Sequence, residues 1–411
     1  MDLEQRQPPG RWRLRRISGL LGAVTLVALL VGMAPSIASA GTDGTAASGT
    51  SRYTFLAGVS CTGNADCMAV GASTSATGGG RTLAERWNGT TWRIIPTFDL
   101  GGARSTNRLS SVSCVSPISC SAVGSAFGGR TPVAEQWNGA AWSLVRAPLP
   151  SGAGNGSLES VSCTTPSDCT AVGSINDNSG LPPANLIEHW NGLRWSVVPG
   201  PDPAGATVSN LWAVSCRAGA GCTAVGDSAA GPGTETTLVE HGVGSSWVVV
   251  PSPGVPGAQT SLQAVDCVSA SRCTAGGYIY RTGPNGLTGS TLVEREVNGT
   301  WSTVSSPDPV GTSYDGFGGV SCVSASRCLG AGSAQSPTGV ATLVEQGTGS
   351  RWTIAPTADD SGPLNAFGGI SCPSPTSCMA VGDHDPGDGT RLPLAEQWDG
   401  STWVIVATPN P

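Results

Sequence analysis

The sequence predicts an all-β protein built from seven copies of one four-stranded unit, and three observations support this prediction. A pair of cysteines with five residues between them recurs seven times, about every 50 residues. A glycine follows each second cysteine at a fixed distance, as Gly71 follows Cys67. A glutamate and a tryptophan then recur together, as Glu85 and Trp92. Such a period is typical of supersecondary units that bury their apolar surface only against one another.

The four strands of a copy can be assigned in order along its first example. Residues 56–61 form the first strand, and a tight loop connects them to the second strand, 67–71. The third strand is 82–87. An Asn-Gly turn, a strong hairpin signal, leads into the fourth strand, 91–95. Helix-period patterning is absent after the N-terminal segment, so no helix is expected there.

Seven copies with four antiparallel strands each predict a seven-bladed β-propeller. An open solenoid is the alternative, but its coils are shorter and rarely contain whole hairpin pairs. We expect residues 55–411 to form this single domain, with repeats that start near 55, 108, 157, 210, 261, 316 and 366.

The cysteines are expected to form one disulfide within each blade, across the first hairpin. All 14 belong to the seven pairs, which suits an oxidising compartment. A zinc site would need two pairs that converge on one metal. The pairs are Cys61/Cys67, Cys114/Cys120, Cys163/Cys169, Cys216/Cys222, Cys267/Cys273, Cys322/Cys328 and Cys372/Cys378. A bridge over so small a loop stabilises the fold by roughly 2 kcal/mol.

The repeated glutamates are expected to be structural. They are Glu85, Glu135, Glu188, Glu240, Glu294, Glu345 and Glu396. Because buried carboxylates in repeat folds accept backbone N–H groups, we expect each to join segments within or between blades. A ring of seven carboxylates that binds cations is the alternative.

The N-terminus predicts export from the cell. Residues 1–40 combine five arginines, an apolar run that starts at Ile17 and an Ala-Ser-Ala cleavage pattern at 38–40, as in a signal peptide. An uncleaved membrane anchor is the alternative. Residues 41–54 would form a short linker. We therefore expect a secreted protein, extracellular or associated with the cell envelope, without a membrane span after cleavage.

The net charge of −7 and the lack of any basic run argue against nucleic acid as a partner. No P-loop, GxSxG or HExxH motif occurs, and the three histidines lie in different repeats. We expect no cofactor, no catalytic residue and a monomer.

The order of apolar strand, glycine, variable loop and late tryptophan resembles the kelch repeat of the kelch and galactose-oxidase propellers. The resemblance covers the whole repeat region and implies the propeller fold. Two features depart from the kelch pattern: only Gly276-Gly277 supplies its double glycine, and the cysteine pair is absent from it.

The candidate binding residues lie where the repeats vary. The distance from glycine to glutamate changes between copies, so the loops between second and third strands differ and share one face, here called the variable-loop face. The longest of these loops would begin with Tyr278, Tyr280 and Arg281, which could form an aromatic and guanidinium contact for a sugar or a protein. Local packing under the loop is the alternative.

An acidic segment in the seventh repeat is the weak candidate for a metal site. Asp383, Asp385 and Asp388 are closely spaced among glycines, as in calcium-binding loops. The EF-hand register is off by one residue and position 394 is Leu in place of Glu, which favours an ordinary solvated acidic turn.

These features together predict a secreted, non-catalytic binding module for an extracellular protein or polysaccharide. The alternative is a carbohydrate-active hydrolase or lyase with its site at the mouth of the central channel. Non-repeated acidic, tyrosine or arginine side chains converging at that mouth would favour the alternative.

Overall fold

The computed structural model describes residues 53–74, 78–101, 105–176, 184–283, 286–360 and 362–411. The predicted signal peptide and nearly all of the predicted linker lie outside these residues. The described residues form strands, turns and loops, without a helix. Nothing in this part of the chain has the helical length and hydropathy that a membrane span requires.

The strands fall into seven consecutive groups of four. The first four groups are β1 (Tyr53–Gly63), β2 (Asp66–Thr74), β3 (Gly80–Trp87), β4 (Trp92–Ile95), β5 (Arg108–Ser116), β6 (Ser119–Ala126), β7 (Thr131–Trp137), β8 (Trp142–Val145), β9 (Asn155–Thr165), β10 (Asp168–Asn176), β11 (Ala184–Trp190), β12 (Trp195–Val198), β13 (Val208–Arg217), β14 (Gly221–Ala229), β15 (Thr236–Val243) and β16 (Ser246–Val250). The last three are β17 (Gln259–Ser269), β18 (Arg272–Gly283), β19 (Gly286–Val297), β20 (Thr300–Val304), β21 (Tyr314–Ser324), β22 (Arg327–Ser336), β23 (Gly339–Thr348), β24 (Arg351–Ala355), β25 (Leu364–Ser374), β26 (Ser377–Asp385), β27 (Leu392–Trp398) and β28 (Trp403–Ile405).

Each group of four strands pairs antiparallel in chain order, and one parallel bridge between Val340 and Leu364 joins the sixth and seventh groups into an eight-stranded sheet. The seven groups close into a ring. The first strands contact one another around a central axis, from β1 to β5 and onward to β25, and β25 contacts β1 again. The predicted seven-bladed β-propeller is therefore confirmed. The hydrophobic core lies between blades: Val70 of the first blade packs with Leu109 and Val133 of the second, and the other interfaces follow the same plan.

A recurring glycine in the second strand fits against a β-bulge in the first strand. In the first blade, Leu56 pairs with Gly71 and Gly58 pairs with Val70, so Ala57 is the extra residue of the bulge. A Cβ at Gly71 would lie 1.9 Å from the carbonyl oxygen of Phe55. The corresponding distances in all seven blades are 1.8–2.1 Å. Only glycine allows this approach, and the bulge turns one additional side chain of each blade toward the central axis.

A ring of side-chain hydrogen bonds joins each first strand to the next. In six blades the residue before the first cysteine is a serine, whose Oγ accepts the N–H of the following blade's cysteine. The fifth blade uses Asp266, which accepts the N–H of Cys322. The seven distances are 2.8–3.1 Å. Ser371 and Cys61 close this ring between the last blade and the first.

All seven predicted disulfides are present, one per blade. They join Cys61 to Cys67, Cys114 to Cys120, Cys163 to Cys169, Cys216 to Cys222, Cys267 to Cys273, Cys322 to Cys328 and Cys372 to Cys378. Their Cα–Cα distances are 3.9–4.0 Å, and no cysteine of the described chain is free. Each bridge spans the hairpin of the first and second strands, at the end opposite the variable loops.

The outer hairpin differs from the predicted Asn-Gly turn. Trp87 and Trp92 pair across it with ring centroids 5.7 Å apart, so the turn contains four residues and β4 begins at Trp92. The Oδ1 of Asn88 accepts the N–H groups of Thr90 and Thr91, at 3.0 and 2.9 Å. This asparagine therefore caps a longer turn instead of forming the centre of a two-residue turn.

Candidate functional site

A central cavity of about 750 Å³ runs along the propeller axis. The seven first strands line it, and the ends of several second strands add to its wall on the variable-loop side. Glu235 and Leu287 mark that side, and Arg217 marks the disulfide side. Because the first strands are repeated, the character of the cavity depends on the positions at which the repeats differ.

The disulfide cysteines contribute mainly to the packing between blades and only in part to the wall of the cavity. Three of them, on the first strands of blades two to four, line its wall: Cys114, Cys163 and Cys216. Their partners Cys120, Cys169 and Cys222 do not line it, nor does Cys378 of the seventh blade; these four pack in the apolar clusters between blades. The sulfur of Cys222, for example, lies 3.4 Å from the hydroxyl of Thr170 in the preceding blade. These second-strand cysteines are therefore structural and stand outside the candidate ligand site.

The bulge residues of the seven first strands form a ring around the cavity, and this is one of the positions at which the repeats differ. They are Ala57, Ser110, Glu159, Trp212, Gln263, Gly318 and Gly368, and all seven line the cavity. Large polar or aromatic side chains occupy this ring in blades three to five, whereas blades six, seven and one carry glycine or alanine. The cavity is thus one-sided, with functional groups on one wall and backbone on the other.

A second variable ring follows the repeated glycines. These residues are Ala72, Ser125, Ser174, Asp227, Tyr278, Ser333 and Asp383. Four of them, from the fourth to the seventh blade, line the cavity. The richest part of the wall is where the two rings meet, in the fourth and fifth blades.

Asp227 is the centre of a hydrogen-bond cluster on that wall. It is buried and accepts the indole N–H of Trp212, the amide of Asn210 at 3.2 Å and the hydroxyl of Ser261 at 2.9 Å. Gln263 in turn donates to Ser261 at 2.7 Å. Burial raises the pKa of Asp227, these three donors oppose the rise, and the charge of Glu235 adds to it.

The predicted aromatic residues Tyr278 and Tyr280 lie in a strand that lines the cavity, not in a surface loop. The reason is that β18 and β19 remain paired as far as Gly283 and Gly286, so the expected longest loop is mostly an extended hairpin. The two tyrosine ring centroids are 4.5 Å apart. Burial raises the pKa of Tyr278 to about 12. The third predicted residue, Arg281, is exposed and does not line the cavity.

Three ion pairs neutralise most charges at the cavity wall. Glu159 binds Arg108 through both carboxylate oxygens at 2.9 Å. Asp383 binds Arg391 at 2.9 Å, and Asp266 binds Arg217 at 2.8 Å on the disulfide side. Burial raises the pKa of Asp383 to about 6, and Arg391 opposes that rise.

The three aspartates of the predicted metal segment do not meet at one point. Asp383 lines the cavity and forms an ion pair with Arg391. Asp385 accepts the N–H of Gly387 at 2.7 Å, and Asp388 accepts the N–H of Thr390 at 2.9 Å. Within the described part of the chain, no three His, Cys, Asp or Glu side chains are grouped to hold a metal ion. The geometry of Asp385 and Asp388 is that of carboxylates capping a turn.

The repeated glutamates lie away from the cavity, buried at the interfaces between blades. Glu135 accepts the N–H of Phe98 and Glu396 accepts that of Ala358, each from the loop that leaves the preceding blade. In the other five blades the equivalent loop position is a proline, which has no N–H: Pro148, Pro201, Pro253, Pro307 and Pro409. In three of these five cases a side chain donates a hydrogen bond to the glutamate in place of the missing N–H. Ser306, for example, donates to Glu345 at 2.6 Å.

Two glutamates remain without a hydrogen-bond partner among the described residues, Glu85 and Glu188. In the blades that precede them around the ring, the equivalent loop position is Pro409 for Glu85 and Pro148 for Glu188. Burial raises the pKa of both to about 8. It also raises the pKa of Glu135 and Glu240 to about 8, and that of Glu345 and Glu396 to about 7. The four carboxyls with a pKa of about 8 are therefore mostly protonated at neutral pH in the folded state, whereas Glu345 and Glu396 are about half protonated there.

Comparison with known proteins supports the fold without naming a family. No known protein family and no curated protein matches the chain, so the kelch resemblance stays a prediction. Among solved structures, a polysaccharide lyase of family PL25, an ulvan lyase bound to an oligosaccharide, is similar at 8% identity with a TM-score of 0.56. That similarity covers 87% of this chain and 96% of the lyase.

Two further structures are similar. The GH74 xyloglucanase of Xanthomonas campestris has 14% identity and a TM-score of 0.53, over 87% of this chain and 55% of the xyloglucanase. The β-propeller domain of the Trilobed protease of Pyrococcus furiosus has 10% identity and a TM-score of 0.48, over 87% of this chain and 96% of that domain. At these identities the likeness concerns the fold alone.

Proposed function

We propose that the protein is a secreted carbohydrate-binding propeller, whose ligand enters the central cavity from the variable-loop face. The observation that carries this proposal is the one-sided wall, on which Trp212, Tyr278 and Tyr280 lie beside Asp227 and Gln263. Aromatic faces stack on the apolar faces of sugar rings. Fixed carboxylates accept hydrogen bonds from the sugar hydroxyls, and a fixed side-chain amide both donates hydrogen bonds to them and accepts hydrogen bonds from them. Seven disulfides support the expected extracellular location.

The glycine side of the cavity also fits this use. Gly318 and Gly368 leave the opposite wall without side chains at the level of Trp212, so a chain of sugar rings could lie between backbone and aromatic side chains. These glycines are required for packing as well. A Cβ on Gly318 would lie 3.0 Å from the Gly368 carbonyl oxygen, and a Cβ on Gly368 would lie 3.0 Å from that of Ala57.

The test is a binding screen of the oxidised, secreted protein against immobilised polysaccharides, with thermal unfolding as the second readout. A ligand at one hundred times its dissociation constant should stabilise the fold by about 2.7 kcal/mol. Tyr278→Ala should abolish binding, whereas Leu193→Ala, a matched control on an exposed turn at the other face, should retain it. Binding that is lost equally in both variants, or retained in both, would contradict the proposed site.

A carbohydrate-active hydrolase is the second candidate. Asp227 and Glu235 line the same wall beside Tyr278, and paired carboxyl groups are the usual machinery of glycoside hydrolysis. The convergence of non-repeated acidic and tyrosine side chains is the arrangement expected for a catalytic site. Release of reducing ends from a bound polysaccharide, lost in Asp227→Asn with binding retained, would establish hydrolysis. Binding without any release of product would instead support a non-catalytic binding module.

A further inference from the structure

Outside its ion pairs, the cavity wall carries an excess of carboxylates over arginines. Five carboxylates line the cavity: Glu159, Asp227, Glu235, Asp266 and Asp383. Three of them form ion pairs with arginines. Asp227 and Glu235 form none among the described residues. The part of the cavity that carries the aromatic side chains is therefore its uncompensated acidic part.

Asp227 and Glu235 contact consecutive residues of β17, and the negative charge of Glu235 raises the pKa of Asp227. Asp227 accepts the hydroxyl of Ser261, and the backbone carbonyl of Glu235 accepts the N–H of the preceding residue, Thr260, at 3.0 Å. The Oε2 atom of Glu235 is buried and has no hydrogen-bond partner among the described residues. Two neighbouring carboxylates without a cation between them repel each other, and a bound cation would remove that repulsion.

The aromatic side chains beside them supply a second and independent feature. Tyr280 is only 9% exposed, lines the cavity, and has a buried hydroxyl without a partner among the described residues. Its ring contacts those of Tyr278 and Tyr314, with centroids 4.5 and 6.2 Å apart. Electron-rich ring faces attract organic cations, and a free phenol oxygen accepts a hydrogen bond from an ammonium group.

We propose that this wall recognises a protonated amine, so that the ligand is an amino sugar polymer such as an oligomer of glucosamine. The inference rests on the proposed carbohydrate-binding function and names its ligand class. An organic ammonium group fits better than a metal ion, because no third acidic or histidine ligand joins Asp227 and Glu235 within the described residues. Trp212 would stack on the sugar ring while the two carboxylates bind the amine at its second carbon.

The experiment compares three hexasaccharides with the same linkage: glucosamine, N-acetylglucosamine and glucose oligomers, titrated into the oxidised protein near pH 6 by calorimetry. We expect the glucosamine oligomer to bind at least ~10-fold more tightly than the other two. Asp227→Asn and Glu235→Gln should each remove this preference. Asp388→Asn, a matched control on the exposed turn after β26, should keep it.

The remaining outcomes separate the two proposals. Equal binding of all three oligomers would overturn the cation inference and leave carbohydrate binding intact. Binding of the polyamine spermidine without binding of any oligomer would support the cation site and overturn the carbohydrate ligand. Failure of all four compounds to bind would overturn the amino sugar assignment, and the wider polysaccharide screen would then decide the proposed function alone.

Discussion

The indole N–H of Trp212 donates a hydrogen bond to Asp227 in the adjacent strand of the same blade. This contact joins the two variable rings of the cavity, since Trp212 is the bulge residue of the fourth blade and Asp227 follows its repeated glycine, Gly226. The same aspartate is bound from the next blade by Ser261. The pair thus connects two blades at the most functionalised part of the wall.

Removing the indole donor should change the acidity of this aspartate. Trp212→Phe keeps an aromatic ring but leaves Asp227 with two donors in place of three. Because hydrogen bonds to the ionised form lower a pKa, we expect the pKa of Asp227 to rise further in this variant. Carbon NMR titration of the carboxyl group measures the change, and Trp92→Phe in an outer hairpin is the control. An unchanged pKa would show that the contact has no electrostatic effect.

The repeated glycines should tolerate no side chain. A Cβ at Gly173 would lie 2.0 Å from the carbonyl oxygen of Ser157, so Gly173→Ala must displace the bulge. We expect a loss of roughly 1–3 kcal/mol in the free energy of unfolding. Gly63→Ala is the matched control, since its Cβ would have no neighbour within 4 Å. Equal unfolding curves for the two variants would contradict the steric explanation.

The buried glutamates predict a stability that falls as the pH rises. The folded protein keeps Glu188 protonated up to a pH near 8, whereas the unfolded chain releases that proton near 4.5. Between these values the unfolded state binds fewer protons, so each such carboxyl lowers the free energy of unfolding by about 1.4 kcal/mol per pH unit.

Substitution of Glu188 by Gln isolates this effect. The amide has nearly the shape of the protonated acid and does not titrate, so Glu188→Gln should be more stable than the wild type at pH values near 8. Near pH 4 the two proteins should have similar melting temperatures, which serves as the internal control. Parallel stability curves across the whole pH range would mean that Glu188 is ionised in the folded protein.

The hydrogen bond between Ser371 and Cys61 should contribute to ring closure. Ser371→Ala leaves the Cys61 N–H without its acceptor at the contact of the last and first blades. We expect the free energy of unfolding to decrease by roughly 0.5–1.5 kcal/mol, measured by denaturant titration. Ser324→Ala at an exposed position of the sixth blade is the control and should change it by less than about 0.5 kcal/mol.

The repeated positions of the sequence predicted the fold well, because each one meets the same environment seven times. The strand order, the seven disulfides and the seven blades all follow from the spacing of Cys, Gly, Glu and Trp. The bulges did not follow, since a single extra residue in a strand leaves no clear signal in an alternating pattern. The sequence also did not predict that Glu85 and Glu188 have no hydrogen-bond partner among the described residues, because this depends on contacts between blades.

The candidate site was only partly predictable. The sequence indicates Tyr278 and Tyr280 because they start the longest segment between a repeated glycine and its glutamate. It places them in a loop because the continued pairing of β18 and β19 has no sequence signal. Trp212 carried a signal that the prediction missed: among the described residues it is the one tryptophan outside the outer hairpin positions. Asp227 and Glu235 gave no comparable signal, since only the three-dimensional structure brings them to the same wall.

The central claim, that the ligand binds at the aromatic wall of the fourth and fifth blades, is tested most directly by measuring one dissociation constant in three proteins. The polysaccharide that binds best is titrated into the wild type, Trp212→Ala and Ser110→Ala, the last two being substitutions at the same bulge position of different blades. We expect at least ~10-fold weaker binding for Trp212→Ala and wild-type affinity for Ser110→Ala. Wild-type affinity in Trp212→Ala would contradict it and place the ligand elsewhere on the propeller.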